Sequence, residues 1–133
     1  MWWRERSAAN VRSSHPASVV AYLIALAITL AVEVPLAGWW LGRVAGPELP
    51  VSPWALAGTA NLVSHVVAIG LVWPAFDDRV ARGPLVLTLE LAVWLGEAAA
   101  YAAGAAIMWR RSLTISAVAN LASLSIGAVL LAR

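Results

Sequence analysis

Four apolar runs, each long enough to cross a membrane, constrain the fold of this chain more than any other feature. A bilayer core of ~30 Å needs ~20 mostly apolar helical residues. The runs are residues 17–41, 53–76, 84–109 and 112–132. Only 12% of the 133 residues are charged, which is about half the share in a soluble domain. The sequence therefore predicts an all-α integral membrane bundle of four transmembrane helices, in one domain over residues 17–133.

The remaining residues, 1–16, are expected to form an interfacial segment, with Trp2 and Trp3 at headgroup level. All nine basic residues of the chain are arginines. Six lie on the side of the termini (Arg4, Arg6, Arg12, Arg79, Arg82 and Arg133) and three on the other side (Arg43, Arg110 and Arg111). The positive-inside rule then predicts that both termini are cytoplasmic. Because the arginines lie in loops and at termini, the expected partner is the lipid bilayer and no nucleic acid.

Acidic residues inside the apolar runs are the main functional signal. Glu33, Glu90 and Glu97 each lie within a run, where a carboxylate at the helix centre costs roughly 2.5–3.5 kcal/mol on insertion scales. With a rise of 1.5 Å per residue, several polar residues fall at one depth, slightly outside the midplane. They are Glu33, Asn61, His65, Glu97, Tyr101, Asn120 and Ser123. Glu90 is expected about two turns nearer the cytoplasm.

The two halves of the chain resemble each other. Asn61-Leu62-Val63-Ser64 in the second run matches Asn120-Leu121-Ala122-Ser123 in the fourth, and Glu33 in the first corresponds to Glu97 in the third. Transporter folds are often built from such repeats, with sites at the interface between them. The alternative is that two apolar helical hairpins look alike by composition.

Three interpretations of this polar layer remain open. In the first, it binds or passes a cation, a proton or a small polar solute. Glu33 and Glu97 would titrate or act as ligands, His65, Asn61 and Asn120 would be their partners, and Glu90 would be an access acid. Ser64, Tyr101 and Ser123 would support them. The identity of any metal is open, and no cofactor is expected.

The second interpretation is structural. Hydrogen bonds between carboxyl, amide and hydroxyl groups hold the helices together, each pair contributing ~0.6 kcal/mol on average, and the protein is an accessory subunit of a membrane complex.

The third interpretation is intramembrane catalysis. A general base or a metal could activate water, but the sequence contains no HExxH or GxSxG motif. Catalysis is therefore disfavoured. The absence of cysteine also excludes disulfides and thiolate metal sites.

Two resemblances add expectations. The last three runs are similar to a group of small uncharacterised bacterial four-span membrane proteins, which implies a bacterial cytoplasmic (inner) membrane. The matching pattern is Asn61-x2-Ser64-His65, Glu90-x6-Glu97-x3-Tyr101 and Asn120-x2-Ser123-x3-Gly127.

The first run, with Ala31-Val32-Glu33-Val34, resembles the small multidrug resistance transporters, whose first helix carries one essential Glu. That resemblance implies a homodimer, and a larger membrane complex is the other assembly considered. The chain departs from those transporters at Pro35 and in the two acids of its third run.

Overall fold

The computed structural model of the chain describes residues 15–46, 49–76 and 81–131. Every regular element in these ranges is helical and none is a strand, which confirms the predicted all-α class. The elements are α1 (His15–Val44), α2 (Pro53–His65), a π-helical segment (Val66–Val72), α3 (Trp73–Phe76), α4 (Arg82–Gly104) and α5 (Trp109–Leu131). The predicted interfacial segment lies, up to residue 14, outside the described residues.

Four stretches of these helices are long and apolar enough to cross a membrane, in agreement with the four runs of the sequence. They are Tyr22–Val44, Pro53–Val72, Gly83–Gly104 and Trp109–Leu130. The second span consists of α2, the π-helical segment and α3, which follow one another without a break. The π-helical segment begins directly after His65, and π-helical turns occur frequently at functional sites.

The connection between α4 and α5 differs from the predicted one. The sequence predicts a third span that continues to residue 109, with Arg110 and Arg111 between the spans. Instead α4 ends at Gly104, and both arginines lie in the first turn of α5. The chain reverses through Ala106, which adopts a left-handed backbone conformation with φ of 50°. Because the connecting residues 105–108 are apolar and contain neither Gly nor Pro, the sequence carries no turn signal there.

The four spans form a ring in chain order. α1 packs against α2 and α5, and α4 packs against the same two helices. This is the arrangement expected when short connections make consecutive helices neighbours. We call the end at which α1 begins and α5 ends the terminal end. The opposite end, which carries the α1–α2 and α4–α5 connections, is the hairpin end.

The two ends of the ring are packed differently. At the hairpin end one apolar cluster contains buried side chains from all four spans: Ala37, Leu41, Ala57, Ala60, Tyr101, Ala105, Ile115 and Ala119. At the terminal end the buried cluster contains side chains of the second span and α4 alone: Ala68, Leu85, Leu89 and Val93. Beside α1 and α5, a cavity of about 340 Å³ lies in this half of the bundle. The polar layer lies between the two clusters.

Candidate functional site

Polar side chains from all four spans meet in the middle of the ring. The described residues include six buried polar side chains: Glu33, Asn61, Glu97, Ser112, Ser116 and Ser123. Lipid offers no hydrogen-bond partners at this depth, so polar groups in a span are satisfied inside the bundle or by a ligand. The partners of each group therefore indicate what the layer can do.

Glu97 of α4 is held by three uncharged donors from two other spans. Its Oε1 accepts a hydrogen bond from the Ser64 hydroxyl at 3.1 Å. Its Oε2 accepts one from Asn120 Nδ2 at 2.7 Å and lies 3.0 Å from the Ser116 hydroxyl. A carboxylate offers about four lone-pair sites, so three donors leave one site open, on Oε1. The bonds fix the orientation of a fully buried carboxyl group.

Glu33 of α1 has one oxygen that is satisfied and one that is not. The Ser123 hydroxyl donates to Oε1, whereas Oε2 is buried without a hydrogen-bond partner. The side chain is only 1% exposed. Leaving a buried polar atom unpaired costs about 1–3 kcal/mol, and such atoms are rare in folded proteins. The free oxygen is therefore a position at which a ligand can be expected.

His65, at the end of α2, supplies a second free atom. Its Nε2 is buried and has no hydrogen-bond partner. Glu33, His65 and Glu97 each offer one ligand atom, and these three atoms lie within 4.8 Å of one another. Tetrahedral coordination at about 2.0–2.1 Å separates ligand atoms by about 3.3 Å. Small side-chain rotations would bring the three atoms to that separation.

Asn61 and Tyr101 form a separate pair nearer the hairpin end. Asn61 Nδ2 donates to the Tyr101 hydroxyl oxygen at 3.0 Å and to the carbonyl oxygen of Ala57 at 3.1 Å. Asn61 Oδ1 is a third buried atom without a partner. The structure gives Asn61 no hydrogen bond to either buried glutamate, so it does not contact them in the way that Asn120 contacts Glu97.

The local hydrogen bonds of the second and fourth spans correspond. Asn61 and Asn120 each donate Nδ2 to the carbonyl oxygen four residues earlier in the chain. Ser64 and Ser123 each lie 3.0 Å from the carbonyl oxygen three residues earlier. The two Asn-x2-Ser strings therefore have the same local geometry, as the predicted repeat requires.

The bonds between the halves are also reciprocal. Ser64 of the first half donates to Glu97 of the second, and Ser123 of the second half donates to Glu33 of the first. A two-fold axis along the bundle would produce this exchange, because it relates the α2–α4 contact to the contact between α5 and α1.

Glu90 lies outside the group formed by the other site residues. It is exposed and belongs to the wall of a cleft between α4 and α5. It also lines the cavity at the terminal end, which reaches Glu33 and His65. Among the described residues Glu90 has no hydrogen bond, so its carboxyl group faces the two openings.

Ser116 contributes to the site, although the predicted site residues did not include it. It is fully buried, and its hydroxyl lies 3.0 Å from both Glu97 Oε2 and the carbonyl oxygen of Trp94. The sequence contained a signal for it, because Ser116 lies one helical turn before Asn120 and thus on the same face.

No cationic side chain balances the two buried carboxyl groups within the described part of the chain. The arginines whose side chains are described lie at the ends of spans: Arg43, Arg110 and Arg111. Arg43 packs over the Trp39 ring, 4.2 Å from its centroid. Buried charges in proteins are paired or coordinate metals. The carboxyl groups here must therefore be protonated or neutralised by a bound cation.

Comparisons of the chain with protein-family models, with curated proteins and with solved structures gave no match in any of the three searches.

Proposed function

We propose that this multi-pass membrane protein binds a divalent cation between Glu33, His65 and Glu97. One observation carries the proposal: Glu33, His65 and Glu97 bring one ligand atom each within 4.8 Å of one another, and two of these residues also carry an unpartnered buried atom, Glu33 Oε2 and His65 Nε2. A structural role requires hydrogen bonds, and these two atoms make none.

The donor set favours a transition metal ion over magnesium or calcium. Imidazole nitrogen suits ions such as Zn²⁺, whereas Mg²⁺ and Ca²⁺ prefer oxygen ligands alone. Two ionised carboxylates and one divalent cation are together neutral, which removes most of the cost of burying each charge in the membrane. Three protein ligands also leave room for a water molecule or an exchanging ligand in a fourth position.

The surrounding hydroxyl and amide groups act as outer contacts of this site. Ser123 orients Glu33, while Ser64, Ser116 and Asn120 orient Glu97. Such outer hydrogen bonds fix the ligands of metal sites, and their loss typically lowers metal affinity about 10–100-fold. In this proposal Ser64 and Ser123 position ligands, as predicted for supporting residues, and so does Asn120, which was predicted as a binding partner. The third predicted supporting residue, Tyr101, bonds Asn61 instead.

The location, orientation and assembly of the whole protein belong to the same proposal. A bacterial inner-membrane location with both termini cytoplasmic is supported by the distribution of arginines. Movement of the cation across the membrane would require a path that four helices leave little room for. A homodimer or a larger membrane complex would provide that room.

Thermal unfolding of the purified protein in detergent tests the cation site. Zn²⁺ and Mn²⁺ should raise the melting temperature, because an ion that binds the folded state alone stabilises it by ~2.7 kcal/mol at a hundredfold excess over Kd. Mg²⁺, Ca²⁺ and Na⁺ should have little effect. The shift should disappear in Glu33→Gln, which still offers Ser123 an acceptor, and in His65→Phe.

Glu90→Gln is the matched control, because it makes the same chemical change at a position outside the group of ligands, about two turns from Glu97 on α4. It should keep most of the shift. Equal responses of wild type and Glu33→Gln to every cation would refute the proposal.

A structural role in an accessory subunit is the second candidate, and the bonding of Glu97 favours it. Three donors hold this carboxyl group between the second, third and fourth spans. If the layer serves packing alone, Glu33→Gln should be as stable as wild type with and without cations. Asn120→Leu should then be the variant that impairs assembly.

A further inference from the structure

A cavity lies on the terminal side of the group formed by Glu33, His65 and Glu97. This cavity of about 340 Å³ is lined by side chains of α1 and α5, with Glu33 and His65 also in its wall. Water occupies ~30 Å³ per molecule in the liquid, so the cavity has room for about ten. Six of its eleven lining residues are polar: Thr29, Glu33, His65, Glu90, Asn120 and Ser123. Most of the wall area is apolar, and the six polar side chains supply the hydrogen-bond partners that water in the cavity needs.

The opposite side of the site is closed. At the hairpin end, Ala37, Leu41 and Ile115 are at most 1% exposed and belong to the cluster shared by all four spans. The Asn61–Tyr101 hydrogen bond lies in the same region, and both side chains are fully buried. Packed side chains leave few voids large enough for water, and a hydrated ion needs more room than a single water molecule.

Glu90 gives the cavity its charge. Its carboxyl group is exposed, has no hydrogen bond among the described residues, and lies about two turns from Glu97 on the same helix. A carboxylate in a cleft with low-dielectric walls concentrates cations locally and repels anions. Within a membrane span such a group is expensive unless it faces a water-filled cavity.

We propose that Glu90 is an access site for cations, and that the cavity it lines is the route by which they pass from water to the Glu33–His65–Glu97 site. Cations then enter and leave from the terminal end, which the arginine distribution assigns to the cytoplasm. The direction of access rests on the cation site proposed above, whereas the cavity and its preference for positive charge do not.

Single-cysteine labelling can test this directly, because the chain contains no native cysteine. Thr29→Cys introduces a thiol into the cavity wall, one helical turn before Glu33. Ala27→Cys is the matched control, since Ala27 is exposed on the outer surface of the same helix. The reagents are a membrane-impermeant cationic methanethiosulfonate and its anionic analogue, applied to membrane vesicles of both orientations.

Two exposed loop positions serve as references for the sides of the membrane: Ala81→Cys for the terminal end and Val51→Cys for the hairpin end. Thr29→Cys should react from the Ala81 side and not from the Val51 side, and Ala27→Cys should remain unreactive. The cationic reagent should react about tenfold faster than its anionic analogue, relative to a free thiol in solution. Adding Glu90→Gln should reduce this preference to the free-thiol ratio.

Reaction of Thr29→Cys from the Val51 side, or a charge preference that Glu90→Gln leaves unchanged, would overturn the proposal. Ala25→Cys, which lines the same cavity, gives the same test if the Thr29 variant does not fold. The labelling needs no bound metal. The expected labelling pattern without any cation-induced rise in melting temperature would therefore support the cavity and refute the cation site alone.

Discussion

Three serine hydroxyls in the polar layer each face two acceptors, a glutamate oxygen and a main-chain carbonyl oxygen. Ser64, Ser116 and Ser123 all have this arrangement. A hydroxyl has one proton and donates to one acceptor at a time. It can donate to an ionised carboxylate, or to the carbonyl while it accepts a hydrogen bond from a neutral carboxyl group. The layer can therefore stay hydrogen-bonded whether protons or a cation neutralise the glutamates.

Asn120 differs from the serines because its contact to Glu97 is a single short bond from an amide nitrogen, at 2.7 Å. Asn120→Leu removes that donor and leaves Glu97 Oε2 with Ser116 alone. We expect a loss of about 1–3 kcal/mol in unfolding free energy, the cost of an underpaired buried acceptor. Equilibrium unfolding in mixed micelles measures it.

Ser125→Ala is the control for this prediction. The Ser125 hydroxyl also donates a hydrogen bond, to the carbonyl oxygen of Leu121 at 2.7 Å, but it is exposed and the bond lies within its own helix. Its loss should change stability by at most about 0.5 kcal/mol. Equal losses in the two variants would show that the Asn120–Glu97 bond contributes no more than a surface contact.

At the scale of the elements, α1 and α2 approach each other closely at Gly38. A Cβ atom placed there would lie 2.9 Å from Trp54 Cε3 and 3.3 Å from Trp54 Cα. Because part of this contact is with main chain, a side-chain rotation cannot relieve it. Small residues at such positions allow membrane helices to pack backbone against backbone. This approach helps to align the end of α1 with the beginning of α2, and thus to set the relative depths of Glu33 and His65.

Two glycine-to-alanine substitutions should consequently have opposite effects on the free energy of unfolding. Gly38→Ala should destabilise the protein by about 1–3 kcal/mol, the usual cost of overpacking a core. Gly96→Ala in α4, where a Cβ would meet nothing within 4 Å, should stabilise it by up to about 1 kcal/mol through helix propensity. Unfolding in the same micelles compares them. Destabilisation of similar size in both would mean that the α1–α2 approach is not specific to Gly38.

At the scale of the whole molecule, the depth of the polar residues in the membrane was predictable from the sequence. The rotation of each helix about its own axis was not. Span lengths and a rise of 1.5 Å per residue suffice to put Glu33, His65 and Glu97 in one layer, where the structure brings them together. Helices that are apolar on all sides carry little information about which face points inward. For this reason the sequence could not show that Asn61 bonds Tyr101, or that Glu33 Oε2 stays free.

The internal repeat offers a reason for that free oxygen. Counted from the two asparagines, Ala57 in the first half corresponds to Ser116 in the second, since each lies four residues earlier. Ser116 lies beside Oε2 of Glu97, whereas Ala57 has no hydroxyl to offer Glu33. The two carboxyl groups therefore occupy corresponding places with different numbers of donors. Glu97 has three donors and one open site on Oε1, whereas Glu33 has one donor and a free Oε2.

Restoring the symmetry should weaken the cation site. Ala57→Ser adds a hydroxyl at the fully buried position that corresponds to Ser116. If the two halves correspond, the hydroxyl donates to Glu33 Oε2 and competes with the cation for it. We expect an affinity for Zn²⁺ or Mn²⁺ about tenfold lower, with a melting temperature in the absence of metal that does not fall. Measuring the melting temperature at increasing cation concentrations gives both the cation affinity and the melting temperature without metal.

Ala60→Ser is the control, because Ala60 lies one turn further along α2 and lines the cleft towards α4. A hydroxyl there should leave the cation affinity unchanged. If Ala57→Ser binds cations as tightly as wild type, the free oxygen of Glu33 does not result from the missing hydroxyl. If both serine variants weaken binding equally, the effect belongs to α2 packing in general. Only a loss confined to Ala57→Ser ties the cation site to the difference between the two halves. It would mean that the missing hydroxyl of the first half leaves Glu33 Oε2 free for the cation, while the donors of the second half orient Glu97.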